Sequence, residues 1–299
     1  MLHSVATGDT DGYVNIWDDT GKYRYSLLSD SKIWCLLELP NGYVISGSDL
    51  GQFTLWNTSE SLYYKLYGHS SAIYDIQMIN NNTFASASAD ETIKIWTTSH
   101  GILTNIRTLS SDTSLFSLAI LNNSFLASGD GNNPLEVKIW NFQSGQLVKR
   151  LNGHTDEIYH LELMSVHVLA SCSLDGYIIL WNLLSEQQMK KLVACGSLSV
   201  GVYSMQRLSD TSLAASCSDG SICTWNTTSE TRIRTLTAHS SYIQGMDMFN
   251  ETILISGSDD MLFKMWNMEN GAQLLMVKNF KFPILSIIKL NYRKHILYI

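Results

Sequence analysis

Short runs that alternate between apolar and polar residues recur along this chain, and each ends on a tryptophan. Thr92-Ile93-Lys94-Ile95-Trp96 and Tyr177-Ile178-Ile179-Leu180-Trp181 are two of them. A period of two with β-branched residues marks a half-buried strand. Seven tryptophans, Trp17, Trp56, Trp96, Trp140, Trp181, Trp225 and Trp266, stand 39 to 44 residues apart. Before each run lies a strand of small residues and a tight turn, as in Phe84-Ala85-Ser86-Ala87-Ser88 followed by Ala89-Asp90. After each tryptophan a polar turn leads into a further strand, such as Gln146–Leu151, and then into an apolar one, such as Ile158–Leu163. Each repeat of about 41 residues therefore predicts four strands, lettered a to d from the apolar strand outward.

One such sheet cannot bury both faces alone. Seven arranged radially cover one another and leave only short edges. The fold expected is all-β: a seven-bladed β-propeller of four-stranded antiparallel blades. The chain starts at strand b of the first blade, so the missing strand a must come from Ile284–Leu290, which closes the ring and removes two free edges. His295–Ile299 then reads as a surplus strand b that duplicates His3–Thr7. Residues 1–299 are thus expected to be one propeller domain, with a fragment of a longer polypeptide as one expectation.

This pattern resembles the WD40 repeat family over essentially the whole chain. The literal Trp-Asp pair occurs once, at Trp17-Asp18; five repeats read Trp-Asn and one reads Trp96-Thr97. The Gly-His element appears at Gly68-His69 and Gly153-His154, and as Ala238-His239. The resemblance implies a hydrogen-bonded chain of His, Ser, Asp and Trp within a blade. Three repeats match it in full: His69, Ser86, Asp90, Trp96; His154, Ser171, Asp175, Trp181; and His239, Ser256, Asp260, Trp266. Buried polar groups need partners, and one chain can satisfy all of these. A threefold recurrence suits a scaffold better than a hydrolase triad. Leu50 and Pro134 hold the turn-Asp position in the second and fourth repeats, so those b–c turns are expected to be irregular and mobile.

Composition narrows function. The net charge of -7 argues against nucleic acid, which needs clustered Lys and Arg. No apolar run is long enough to span a membrane, and the N-terminus has no signal-peptide pattern. The five cysteines, Cys35, Cys172, Cys195, Cys217 and Cys223, are odd in number, and none is spaced as a zinc finger. Free, mostly buried thiols and a cytoplasmic or nuclear location are expected. No phosphate loop, metal motif or free carboxylate pair is visible, so no cofactor, no metal and no catalytic residue is expected.

What remains is a binding surface. The resemblance implies that the face made by the d–a and b–c loops takes peptides or proteins. The residue after the apolar opener of each strand a is Trp34, Tyr74, Phe116, Tyr159, Tyr203, Gln244 and Leu285. Tyr242, Lys32 and Glu157 precede an opener, and Asp49 and Asp259 stand at b–c turns. These aromatics and acids suit a partner that presents Lys or Arg. The alternative is the substrate-receptor part of a ubiquitin ligase that lacks its adaptor-binding domain. Phosphopeptide recognition is disfavoured because no arginine falls at the mouth; Arg24, Arg107, Arg150, Arg232 and Arg234 all lie on strand d.

Overall fold

The computed structural model describes residues 4–57, 62–99, 102–278 and 280–291. The surplus strand expected at His295–Ile299 lies outside them. Seven four-stranded antiparallel sheets make up the described chain. Blades are numbered here in chain order. Blade 1 pairs Ile284–Leu290 as strand a with Ser4–Asp9, and continues through Tyr13–Asp18 and Tyr23–Leu28. The closing pair runs in register from Ser4 opposite Leu290 to Gly8 opposite Ser286. The ring is therefore shut by the two ends of the chain, as the pattern predicts. Blades 2 to 7 open their strands a at Ile33, Ile73, Leu115, Ile158, Val202 and Ile243.

Burial follows strand position. Strand b is almost fully buried, as in Thr83–Ser88, while strand d is mostly exposed, as in Gln146–Leu151. Strand b is made of small residues because the next blade presses on it. A Cβ added to Gly129 would lie 2.7 Å from Ile158 Cγ2, the opener of the following blade. The seven apolar clusters each join two neighbouring blades, so the core is a ring of interfaces. Trp181, for example, packs with Ala127 and Leu161 across blades 4 and 5.

The pairing of strands a and b holds one feature that periodicity does not reveal. The register shifts at the second residue of strand a, between Ile33 and Cys35, Ile73 and Asp75, Leu115 and Ser117, Ile158 and His160, Val202 and Ser204, and Ile243 and Gly245. Each shift is a β-bulge, which leaves one residue unpaired and re-aims its side chain. The bulged residues are Trp34, Tyr74, Phe116, Tyr159, Tyr203 and Gln244.

The two turns expected to be irregular behave differently. The blade 2 turn closes with Gly51 N–H on Ser48 O at 3.2 Å, the same bond that Gly176 makes to Ser173 in blade 5. It is regular. The blade 4 turn is irregular, with a cis Asn133–Pro134 bond and Leu135 at φ 64°. It is nonetheless fastened. The Lys138 ammonium lies 2.8 Å from Asp130 and 2.6 Å from Asp112, and donates to Ser111. Lys138 and Asp130 are fully buried. Arg150 bridges Asp112 and Glu136 behind them.

Candidate functional site

Three blades carry a closed hydrogen-bonded chain. In blade 5, Trp181 Nε1 donates to Ser171 Oγ at 2.8 Å, Ser171 Oγ lies 2.7 Å from His154 Nε2, and His154 Nδ1 lies 2.9 Å from Asp175. One sense of donation satisfies every atom: the serine O–H donates to a bare Nε2, and Nδ1–H donates to the carboxylate. Blade 3 repeats this with Trp96, Ser86, His69 and Asp90, and blade 7 with Trp266, Ser256, His239 and Asp260. Each aspartate also accepts the backbone N–H after its histidine, which ties the d–a loop to the b–c turn. Burial pushes Asp90 up, but the bonds from His69, Thr92 and Ser70 outweigh it and hold the carboxyl below its ordinary range. These trios are interior struts of the rim.

The bulged side chains meet at one end of the central channel. Their ring centroids lie 5.4 Å apart for Trp34 and Tyr74, 4.5 Å for Tyr74 and Phe116, and 5.2 Å for Phe116 and Tyr159. Tyr159 and Tyr203 are 4.8 Å apart, and Tyr203 and Tyr242 5.4 Å. Six aromatics from six blades thus form an unbroken arc, mostly edge to face. Aromatic pairs prefer this geometry. Tyr242 takes the place that Gln244 leaves polar in blade 7 and is the most open, at 44%. The others are half-buried. Gly131 is needed here, because a Cβ would collide with the Phe116 ring.

Acids line the same arc. Trp34 Nε1 donates to Asp49 Oδ1 at 2.9 Å, which fixes both groups. Lys32 is exposed and holds its ammonium 5.8 Å from the Trp34 centroid. Burial, and then the Glu157 carboxylate, push the Tyr159 hydroxyl well up. Burial followed by Asp49 and Glu157 raises Tyr74, and burial followed by Tyr242, Asp259 and Glu157 raises Tyr203. Burial also raises Asp259, whose Oδ1 is buried with no hydrogen-bond partner among the described residues. The mouth therefore combines π-faces with excess negative charge.

Deeper in the channel lie groups to which the sequence reading gave no role. Asp75 accepts Leu118 N–H of blade 4, His160 Nδ1 accepts Met205 N–H of blade 6, and Asp247 accepts Lys289 N–H of blade 1, each at 2.8 Å. These side chains stitch blades together. Burial pushes Asp75 and Asp247 up to about 6 and Glu162 to about 7, and pushes His160 down to about 4. The signs oppose. The raised acids weaken the fold when ionised, and that cost is relieved as pH falls through 7 and 6. The depressed His160 supplies stability that is present above its unfolded value and lost as pH falls toward 4. Asp75→Asn with Asp247→Asn keeps both acceptor oxygens. The double variant is expected to gain about 2 kcal/mol per site at pH 7.5, and to gain progressively less as pH falls through 6. Urea melts at pH 5.5 and 7.5 check this.

Blade 6 corrects the expectation of five free thiols. Cys195 and Cys217 form a disulfide with Cα atoms 5.9 Å apart; Cys35, Cys172 and Cys223 are free and buried. The reason is positional. Leu192-Val193-Ala194-Cys195 reads onto Leu236-Thr237-Ala238-His239, so Cys195 stands where other blades place the loop histidine. Cys217 ends strand b, where Ser88, Ser173 and Ser258 donate to a d–a loop carbonyl. Ala215 replaces the central serine, and Trp225 Nε1 donates instead to Ala194 O at 2.9 Å. A covalent bond thus does in blade 6 what hydrogen bonds do in blades 3, 5 and 7.

A radial ring of seven four-stranded blades with a loop-lined mouth defines the class: a β-propeller. The WD domain, G-beta repeat, matches residues 60–97, 145–182 and 230–267. These are the three stretches that hold the complete His-Ser-Asp-Trp chains. The chain is a seven-bladed β-propeller that carries three WD40 repeats. Two Dictyostelium discoideum proteins are similar to it. WD repeat-containing protein 89 homolog is 30% identical over 147 residues, or 48% of this chain and 37% of that protein. Protein tipD is 32% identical over 146 residues, or 48% and 24%. Autophagy-related protein 16 of Arabidopsis thaliana is 25% identical over 168 residues, or 54% and 32%. The chain thus spans about a quarter to just over a third of these relatives. The crystal structure of the computationally designed Ika8 protein shares the fold, with a TM-score of 0.69 at 24% identity over 88% of this chain and 80% of that one. Among the described residues no helix is long and apolar enough to cross a membrane.

Proposed function

We propose that this chain is a non-enzymatic interaction scaffold whose channel mouth holds a peptide segment or a protein partner through a lysine or arginine side chain. The observation that carries this reading is the unbroken arc from Trp34 to Tyr242, with Glu157, Asp49 and Asp259 set against it. Aromatic faces and carboxylates attract the same cation, and both gain strength in a half-buried setting. The aromatics also give contact area at low entropy cost. An anionic partner fits poorly. Arg24, Arg150 and Arg207 are engaged by Asp18, Asp112 and Asp210, and Arg234 donates to Met268 O on the outer side. Among the described residues, neither a phosphopeptide nor a nucleic acid finds a guanidinium fork at the mouth.

Paired affinity capture from native extract tests the reading. One bait is the wild-type chain and the other carries Trp34→Ala, Tyr74→Ala and Tyr159→Ala, with folding checked by near-UV circular dichroism. Partners that bind wild type and not the folded triple variant support recognition at the mouth. An identical partner set refutes it.

A further inference from the structure

Cys195, Cys217 and Cys223 come from three different elements: the d–a loop, the end of strand b, and strand c of blade 6. Their sulfurs all lie within 4.8 Å of one another. The disulfide uses two of them. Cys223 is fully buried, and its sulfur lies 3.6 Å from the Thr235 hydroxyl. A loop clamp needs no third sulfur, and the matching place in blades 3, 4 and 7 is held by Lys94, Lys138 and Lys264. Three sulfurs converging where sister blades put a lysine, a histidine and a serine require a different explanation.

We propose that the reduced triad is a binding site for one thiophilic divalent ion, zinc. Zinc–thiolate bonds of about 2.3 Å bring three sulfurs to roughly 3.8 Å of one another. Breaking the Cys195–Cys217 bond lets those two sulfurs part toward that spacing, and the Cys223 sulfur already lies within 4.8 Å of both. Cys195 is the half-exposed member, so the ion enters from the loop side and water supplies the fourth ligand. The Arg232 guanidinium lies against Gly196, next to Cys195, and sets a positive charge beside the anionic site. A dithiol reductant gives two electrons and two protons to the Cys195–Cys217 bond and becomes a disulfide itself. The three thiols then bind Zn2+ and release three protons, which leaves a complex of net charge one minus. The ion fastens the 194–201 loop in the reduced protein as the disulfide does in the oxidised one, so the mouth beside Tyr203 keeps its support in either state.

The test uses the untagged full chain, reduced with a phosphine and freed of metal. Cobalt(II) is titrated first and then displaced by zinc. The expected result is a thiolate-to-cobalt charge-transfer band that saturates at one ion per chain and is lost on adding zinc. Cys223→Ser weakens binding by roughly a hundredfold or more, because losing a ligand costs at least what losing an outer-shell partner does. Zinc raises the melting temperature of the reduced wild type and leaves that of reduced Cys223→Ser unchanged. The oxidised Cys223→Ser protein melts with the oxidised wild type, which shows that the variant folds. The absence of the band in reduced wild type, or equal binding by Cys223→Ser, overturns the proposal.

Discussion

Lys138→Met is expected to lower the unfolding free energy by about 3–5 kcal/mol, because it leaves a buried carboxylate without its counter-charge. The Lys138 ammonium sits between Asp130 and Asp112, and neither Lys138 nor the Asp130 side chain is exposed. Burial already raises Asp130 against the pull of Lys138, so removing the ammonium raises it further. The sign follows. The deficit of the variant is largest at neutral pH, where Asp130 must stay charged, and shrinks as pH falls and the carboxyl takes up a proton. Adding Asp130→Asn restores much of the loss at neutral pH, because the pair is then removed and not broken. Denaturant melts of the single and double variants at pH 5.5 and 7.5 read both effects. A loss below about 1 kcal/mol places the ion network among ordinary surface pairs.

Recognition carries the second large effect. Tyr159 lies in the middle of the arc and touches both Phe116 and Tyr203. Tyr159→Ala is expected to weaken the partner by about 2–4 kcal/mol, the usual cost of a central aromatic anchor. Glu157→Lys puts a cation where the proposed partner would place its own and is expected to cost as much again, with a weaker dependence on salt than the wild type shows. Tyr159→Phe keeps the ring and removes only the hydroxyl, and is expected to keep most of the affinity. Calorimetry with a captured partner at two salt concentrations separates the three. If Glu157→Lys binds as tightly as wild type, the mouth acids take no part.

Much of this was legible in the sequence, for a physical reason. A propeller repeats one environment seven times, so Trp17 to Trp266 mark equivalent strands and the missing strand a at Ile284–Leu290 can be inferred from the count. The mouth positions follow from the same register. The bulge at Trp34 and its equivalents was not legible, because alternation says which face a residue takes and not where a ladder skips. Lys138 alternates like any other strand residue, and nothing in sequence shows that Asp112 reaches it from the previous loop. The Cys195–Cys217 bond had a signal, the alignment of Ala194-Cys195 with Ala238-His239, but a three-residue lengthening before Val202 hid it. Asp75, His160 and Asp247 were given no role because their partners are backbone N–H groups of the next blade.

The central claim is that the partner sits on the mouth, and photocrosslinking tests it most directly. A benzophenone amino acid is placed at Tyr242, at the open end of the aromatic arc, and in a second protein at Val166, which is 76% exposed in an a–b turn on the opposite face. The account predicts that illumination in native extract joins the partner to position 242 and not to position 166. A crosslink at 166 with none at 242 contradicts it.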